Sequence, residues 1–410
     1  MFDNVLPNNH WDAVREVKVL VSRTQFFGWA FHRTAVTSVK GCWEINHKYR
    51  KKINIWVKYE SPTCNVKVME TAVGIWGYTW PYQPYIGQYG GPNFNNIGIG
   101  FNWTNNIDSK TFRNWAAATA NNSVFEFQNY AAANGLPNPP GNLKILITPW
   151  GNETTGATPM LDKSFISSAI AAATGTELLP YLGVLTPVVG GLVVVAALPL
   201  SLWLTIAAPD VVLNLADPTE VNADDVRELA YHKLAHAQHF TQAGAWYWNE
   251  QAIYVITHFG YGNGTANGAG RCSVIESWGW QNGRIAAHGR YGVNNSNVGN
   301  TSVNTWRRRL EGDFAWSLTP AGVAFIPWGW QWDIQDNNAT NPRNERESAL
   351  VNPDTTVNND AVFGITRAQI FSTMTSSMES MPQMKGALIP FLPGTVTTAQ
   401  YNTLSGTYGF

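Results

Sequence analysis

Residues 232–236 read His-Lys-Leu-Ala-His inside a stretch patterned as an amphipathic helix, which commits two imidazoles to one face of one rigid element. Asn222 is a candidate N-cap, and Asp224 and Asp225 put negative charge in the first turn. Val226, Leu229, Ala230, Leu234 and Ala237 supply the apolar stripe, and the pattern predicts a helix running to about Ala243. Histidines four apart project from the same face about one turn apart, so both rings can converge on a single Zn²⁺. Hydrolytic metal sites with this spacing carry Glu directly after the first histidine, as the base that takes a proton from metal-bound water. Here that position is Lys233.

Two unit charges about 4 Å apart interact by about 4 kcal/mol at an effective dielectric of 20, so an ammonium beside a divalent ion is repelled by roughly twice that. Three outcomes are open. Lys233 swings away to solvent, it loses its proton in a site that depresses its pKa, or the metal is absent. Only the second leaves a base. His239 continues the same stripe, yet it lies about 10 Å from His232 along the helix axis, too far for all three rings to meet one ion, so it is read as a supporting residue. A bare His-x-x-x-His is equally the mark of an ordinary polar stripe on a half-buried helix.

What lifts the pair above that reading is Val274-Ile-Glu-Ser-Trp-Gly279, further along the chain. Tyr231 to Phe240 followed by Ile275-Glu-Ser-Trp278 resembles the gluzincin pattern, in which a glutamate on a later helix is the third zinc ligand. More narrowly, it resembles a group of secreted bacterial zinc metallopeptidases whose helix reads His-Glu-Leu-Ala/Gly-His-Ala-Ser-His-Phe. The segments Gly156–Leu161, Pro209–Val212, Trp330–Asp336 and Asp360–Ile370 resemble other recurring stretches of that group, so the likeness covers about two thirds of the chain. It implies His232, His236 and Glu276 as metal ligands and Lys233 in the place of the lost base. It also implies a residue beyond the third ligand that steadies an oxyanion, for which His288 and Tyr291 are the candidates. Glu250 is a rival third ligand if the chain turns back at Gly244, and Cys272 is a softer donor near Glu276. The plainer readings are a surface or capping carboxylate and a buried small hydrophobe. His258 has no partner at ligand spacing.

Composition narrows the partners. A formal net charge of −1 over 410 residues gives no electrostatic case for nucleic acid. Charged residues are only 13%, and a polar, weakly charged surface is common among exported proteins. The 19 Trp could form a sugar platform, but nothing in their spacing separates that from core packing. Three cysteines make no disulfide framework; Cys42 and Cys64 fall in strand-like stretches and can pair in an exported protein, leaving Cys272 free. Met1-Phe-Asp-Asn shows neither a basic nor an apolar leader region. Either an export signal has been removed or the protein is not exported. The resemblance favours the former, and hence a secreted, periplasmic or cell-surface location.

From Leu178 to Ala208 there is no charged residue. Pro180, Pro187, Pro199 and Pro209 interrupt the stretch, and its longest proline-free piece, Val188 to Leu198, is about half of what a spanning helix needs. A buried or hairpin-like insertion, membrane contact and an oligomer interface are its three readings.

The expected class is α+β. Glu16–Val21 and Ile53–Tyr59 alternate as strands, joined through Thr37–Gly41 and an aromatic strand at Cys42–Ile45. The Thr-x-x-x-Gly turn resembles the prealbumin-like sandwich attached to secreted carboxypeptidases, with Ser38 where Asp is usual. This gives a small N-terminal β-sandwich over 12–70 and a zincin-like metallopeptidase domain over 71–410, with the apolar insertion near 178–208. Within the second part a helix follows Asp108 and stops at Gly135, Leu143–Ile147 and Val211–Leu215 are strands, and Thr366–Ser377 and Thr397–Leu404 are closing helices.

Three functions are compatible with these residues. The first is a pseudopeptidase that binds or scaffolds a protein or peptide outside the cell, its Zn²⁺ retained or lost. The second is an active zinc peptidase using a neutral Lys233 or another base. The third is a structural surface protein assembling through 178–208.

Overall fold

The computed structural model describes residues 2–5, 10–23, 31–69, 85–90, 97–107, 109–148, 154–164, 209–215, 221–258, 260–291, 325–335 and 362–410. The apolar stretch near 178–208 lies outside them, as do Asp336 and Asp360. The chain divides into two compact units, the first made of residues 1–126, 140–157 and 183–230, the second of 127–139, 158–182 and 231–410.

Among the described residues the first unit holds three sheets. Strand β1 (Phe2–Val5) pairs antiparallel with β2 (His10–Ala13) and parallel with the short β8 (Gly100–Phe101). An antiparallel four-stranded sheet has the order β4 (Phe31–Val36), β3 (Lys18–Arg23), β5 (Ile53–Lys58) and β7 (Tyr85–Tyr89). Its register follows from period-two patterning: Ile53, Ile55 and Val57 are buried, and Val57 and Ile55 lie opposite Val19 and Val21.

The Thr-x-x-x-Gly turn forms as expected. Thr37 Oγ1 accepts from the Val17 amide, Ser38 Oγ accepts from the amides of Lys40 and Cys42, and Gly41 takes φ 71°. The strand expected at Cys42–Ile45 does not form. Because β3 stands between β4 and β5, the chain leaving β4 must cross the end of β3 to reach its far edge, and residues 42–52 are spent on that crossing.

The third sheet is mixed, in the order β10 (Thr155–Ala157), β11 (Val211–Asn214), β9 (Leu143–Thr148), β6 (Cys64–Val68). Strands β6 and β11 run parallel to β9, and β10 closes the edge antiparallel. Parallel central strands are covered on both faces, which is why all of β11 and most of β9 are buried. The helix α1 (Lys110–Ala133) contributes to both units; Ser109 Oγ accepts the Phe112 amide at its start, and Gly135 at φ 66° ends it. Arg227 is fully buried and held by Asp12 and Glu126, both at 2.9 Å; breaking a buried pair of this kind costs about 3–5 kcal/mol.

Pairing of β6 with β9 takes Cys64 into the mixed sheet, away from the turn that carries Cys42. The expected Cys42–Cys64 bond is therefore not made, and all three cysteines are free thiols. Cys64 Sγ instead donates to Asn121 Oδ1 at 3.5 Å, and burial pushes its pKa up to about 12.

The second unit is helical. It takes most of α2 (Ala223–Thr257), then α3 (Ala269–Tyr291), α4 (Trp328–Asp333), α5 (Arg367–Thr373), α6 (Met381–Leu388) and α7 (Thr398–Thr407). Helices α5 and α7 start with capping boxes, Thr366 with Gln369 and Thr397 with Gln400. The helix expected to end near Ala243 does break there, at Gly244 with φ 82° and ψ 171°, and then resumes to Thr257. The class is mixed α+β: an N-terminal antiparallel sheet, then a mixed sheet packed against helices. No helix among the described residues is long and apolar enough to cross a membrane.

Thiol titration tests this arrangement. Exposed Cys42 should react rapidly in the native protein without reductant, while buried Cys64 and Cys272 should react only after denaturation. A native protein with no fast thiol would contradict it.

Candidate metal centre

Helix α2 begins as the sequence leads one to expect: the Asn222 amide donates to the Asp225 carboxylate at 2.8 Å, and the Val226 amide to the Asn222 carbonyl. Two turns on, His232 and His236 point toward α3, which supplies Glu276. His232 Nε2 lies 3.0 Å and His236 Nε2 3.5 Å from Glu276 Oε2, and the three donor atoms fall within 4.8 Å of one another. A tetrahedral zinc with bonds of about 2.0–2.1 Å spaces its ligand atoms by about 3.3 Å, so the spacing fits. His236 Nε2 is buried with no hydrogen-bond partner, a condition that a bound cation would relieve. Among the described residues this is the one group of three such donors.

Gly279, one turn after Glu276, makes the approach possible. A Cβ there would stand 2.2 Å from His236 Nε2 and 2.4 Å from His232 Cδ2, so only glycine lets both imidazoles press against the α3 backbone.

Lys233 points inward. None of His232, Lys233, His236 and Glu276 is more than 5% exposed, and Lys233 Nζ lies 3.5 Å from His232 Nε2. Of the three outcomes open to this lysine, escape to solvent is ruled out. Burial lowers its pKa, against the pull of the Glu276 charge. Burial, with Lys233 and Arg284 beside it, holds His232 well below the ordinary histidine range. His232 Nε2 faces an electrostatic contradiction: it donates to Glu276 only as N–H, and accepts from an ammonium only as a lone pair. An ion about 2.1 Å from that nitrogen would be at most about 5.6 Å from Nζ. At an effective dielectric of 20 that far limit still corresponds to a repulsion of about 6 kcal/mol. The donor set fits a metal, and the lysine opposes it.

Several neighbours escaped the sequence reading. Tyr261, between Gly260 and Gly262 at φ 125° and 69°, hydrogen-bonds Glu276; burial and the adjacent carboxylate raise its pKa well above the usual value, so it keeps its proton and donates. Trp280 lies against His232 at 4.6 Å between ring centres, and Trp248 against His236 at 5.8 Å. The Gly-rich run around Tyr261 and the Glu-x-x-Gly-Trp spacing are the only sequence signals for these contacts.

The rival donors do not join the triad. Glu250 pairs with Arg271 at 2.6 Å, which also holds Glu379. Cys272, about one turn before Glu276 on α3, packs with Tyr254 and Trp328 and feels the charges of Glu276 and Lys233, yet it is not among the three clustered donors; burial raises its pKa. His258 stacks on Tyr254. His288 and Tyr291 ride on α3 roughly 18 and 22 Å beyond Glu276 along its axis, so the fold does not bring them to the triad. His239 turns away and pairs with the Met374 carbonyl at 3.1 Å, Nε2 donating; burial lowers its pKa to about 3.

Two outcomes are expected. Gly279→Ala should destabilise the protein by about 1–3 kcal/mol in chemical denaturation through overpacking, whereas Gly289→Ala on the same helix, where a Cβ meets nothing within 4 Å, should not. The second concerns pH. With a folded pKa of about 3 and an ordinary unfolded value of about 6.5, His239 resists a proton that the unfolded chain accepts. Its contribution is full above about pH 6.5 and is lost as pH falls toward 3, by up to about 1.4 kcal/mol per unit. His239→Gln, which keeps a donor for Met374, should flatten the acid limb of the stability curve; an unchanged slope would refute the assignment.

No family model, curated protein or solved structure matches this chain. What stands is a buried His232/His236/Glu276 triad on α2 and α3 that could hold a metal ion and is consistent with a zincin-like site.

Proposed function

We propose that this chain is a degenerate metallopeptidase-like protein, a pseudopeptidase that acts outside the cell as a binding or scaffold protein for a protein or peptide partner. The observation that carries the proposal is the position of Lys233: its Nζ reaches to 3.5 Å from His232 Nε2, where a hydrolytic site of this spacing needs a carboxylate base. A cation there repels the metal and, while protonated, takes no proton from water. Burial of the four side chains supports the same reading, because a scissile peptide must reach the metal-bound water. Two imidazoles and one carboxylate form a set suited to Zn²⁺, with retention of the ion weakened by the lysine.

The test pairs elemental analysis of the purified protein with cleavage of an unfolded casein-like substrate, for the natural chain and Lys233→Glu. The natural chain should be inert and Lys233→Glu should gain zinc-dependent hydrolysis. Efficient cleavage by the natural chain would overturn the proposal.

A further inference from the structure

The centre holds an amine of its own, 3.5 Å from one of the atoms that a metal would use. We infer that Lys233 and a divalent transition-metal ion compete for the His232/His236/Glu276 donors, the lysine serving as a built-in counter-cation that sets how tightly the ion can bind. This rests on the reading of the triad as a metal centre and adds what governs its occupancy.

Four observations carry it. Lys233 Nζ is within hydrogen-bonding reach of His232 Nε2, which itself lies 3.0 Å from Glu276 Oε2. The lysine is only 3% exposed, so its side chain lies in the interior. Gly279 brings the α3 backbone so close to both imidazoles that not even a methyl group fits on that side. His236 Nε2 faces the same space, buried and without a hydrogen-bond partner. An ion entering the triad needs the lone pairs of both Nε2 atoms and the Glu276 charge, and the ammonium already draws on one lone pair and on that charge. One cation must give way to the other.

The experiment compares Co²⁺ and Zn²⁺ binding to the full chain with Lys233→Met, a substitution of similar length that removes the charge. Ligand-field absorption of Co²⁺, calorimetry with Zn²⁺ and the metal-induced shift in thermal midpoint are the readouts. Lys233→Met should bind one ion at least a hundredfold more tightly than the natural chain, and the gain should vanish when His236→Ala is added. If the natural chain binds one triad-dependent ion as tightly as Lys233→Met, or more tightly, competition is overturned while the metal centre stands. If neither chain binds although circular dichroism shows both folded, the metal-centre reading falls as well. Lys233→Gln is the second variant should Lys233→Met fail to fold, with the same outcomes.

Discussion

The site depends on how closely α2 and α3 approach, and that approach depends on the missing side chain of Gly279. Helices packed through ordinary side chains have axes about 8–10 Å apart, far enough to leave an imidazole and a carboxylate on facing helices separated by other atoms. With glycine at the contact, both rings lie against the partner backbone, and Glu276, one turn earlier, meets both Nε2 atoms. Tyr261 then hydrogen-bonds Glu276, and Trp280 lies beside His232. Each is useful only because the first approach is made.

Within that frame the chemistry is governed by desolvation. Water cannot screen groups this deeply buried, so a charge at the second position of His-Lys-Leu-Ala-His reaches every member of the cluster. Lys233 stands where hydrolytic sites of this spacing carry their base, and a charge on it raises the cost of admitting a second cation.

Much of this was legible in the sequence, for local reasons. Four-residue spacing on a capped helix put His232 and His236 on one face, while Glu276 as the third donor came only from the resemblance to the gluzincin pattern. The direction taken by Lys233 was not legible, because a long flexible side chain goes wherever the opposing helix leaves room. His288 and Tyr291 were misplaced because α3 runs unbroken to Tyr291 and carries them away along its axis. In the first unit, Cys64–Val68 alternates as it would in any half-buried strand, and nothing in that alternation names β9 as its partner. Non-local pairing assigned the cysteine to a different sheet.

The break at Gly244 has a consequence for the site. Trp248 is far enough beyond His236 in sequence that a straight helix would set them roughly 18 Å apart along the axis, yet their rings stand 5.8 Å apart. The reversal at φ 82° folds the downstream arm back as a lid of indole over the imidazole, in a backbone state that side-chain-bearing residues seldom adopt. Cover over His236 is therefore hinged on one residue: straightened there, the indole would swing off that imidazole and leave its shelter to the rest of the packing.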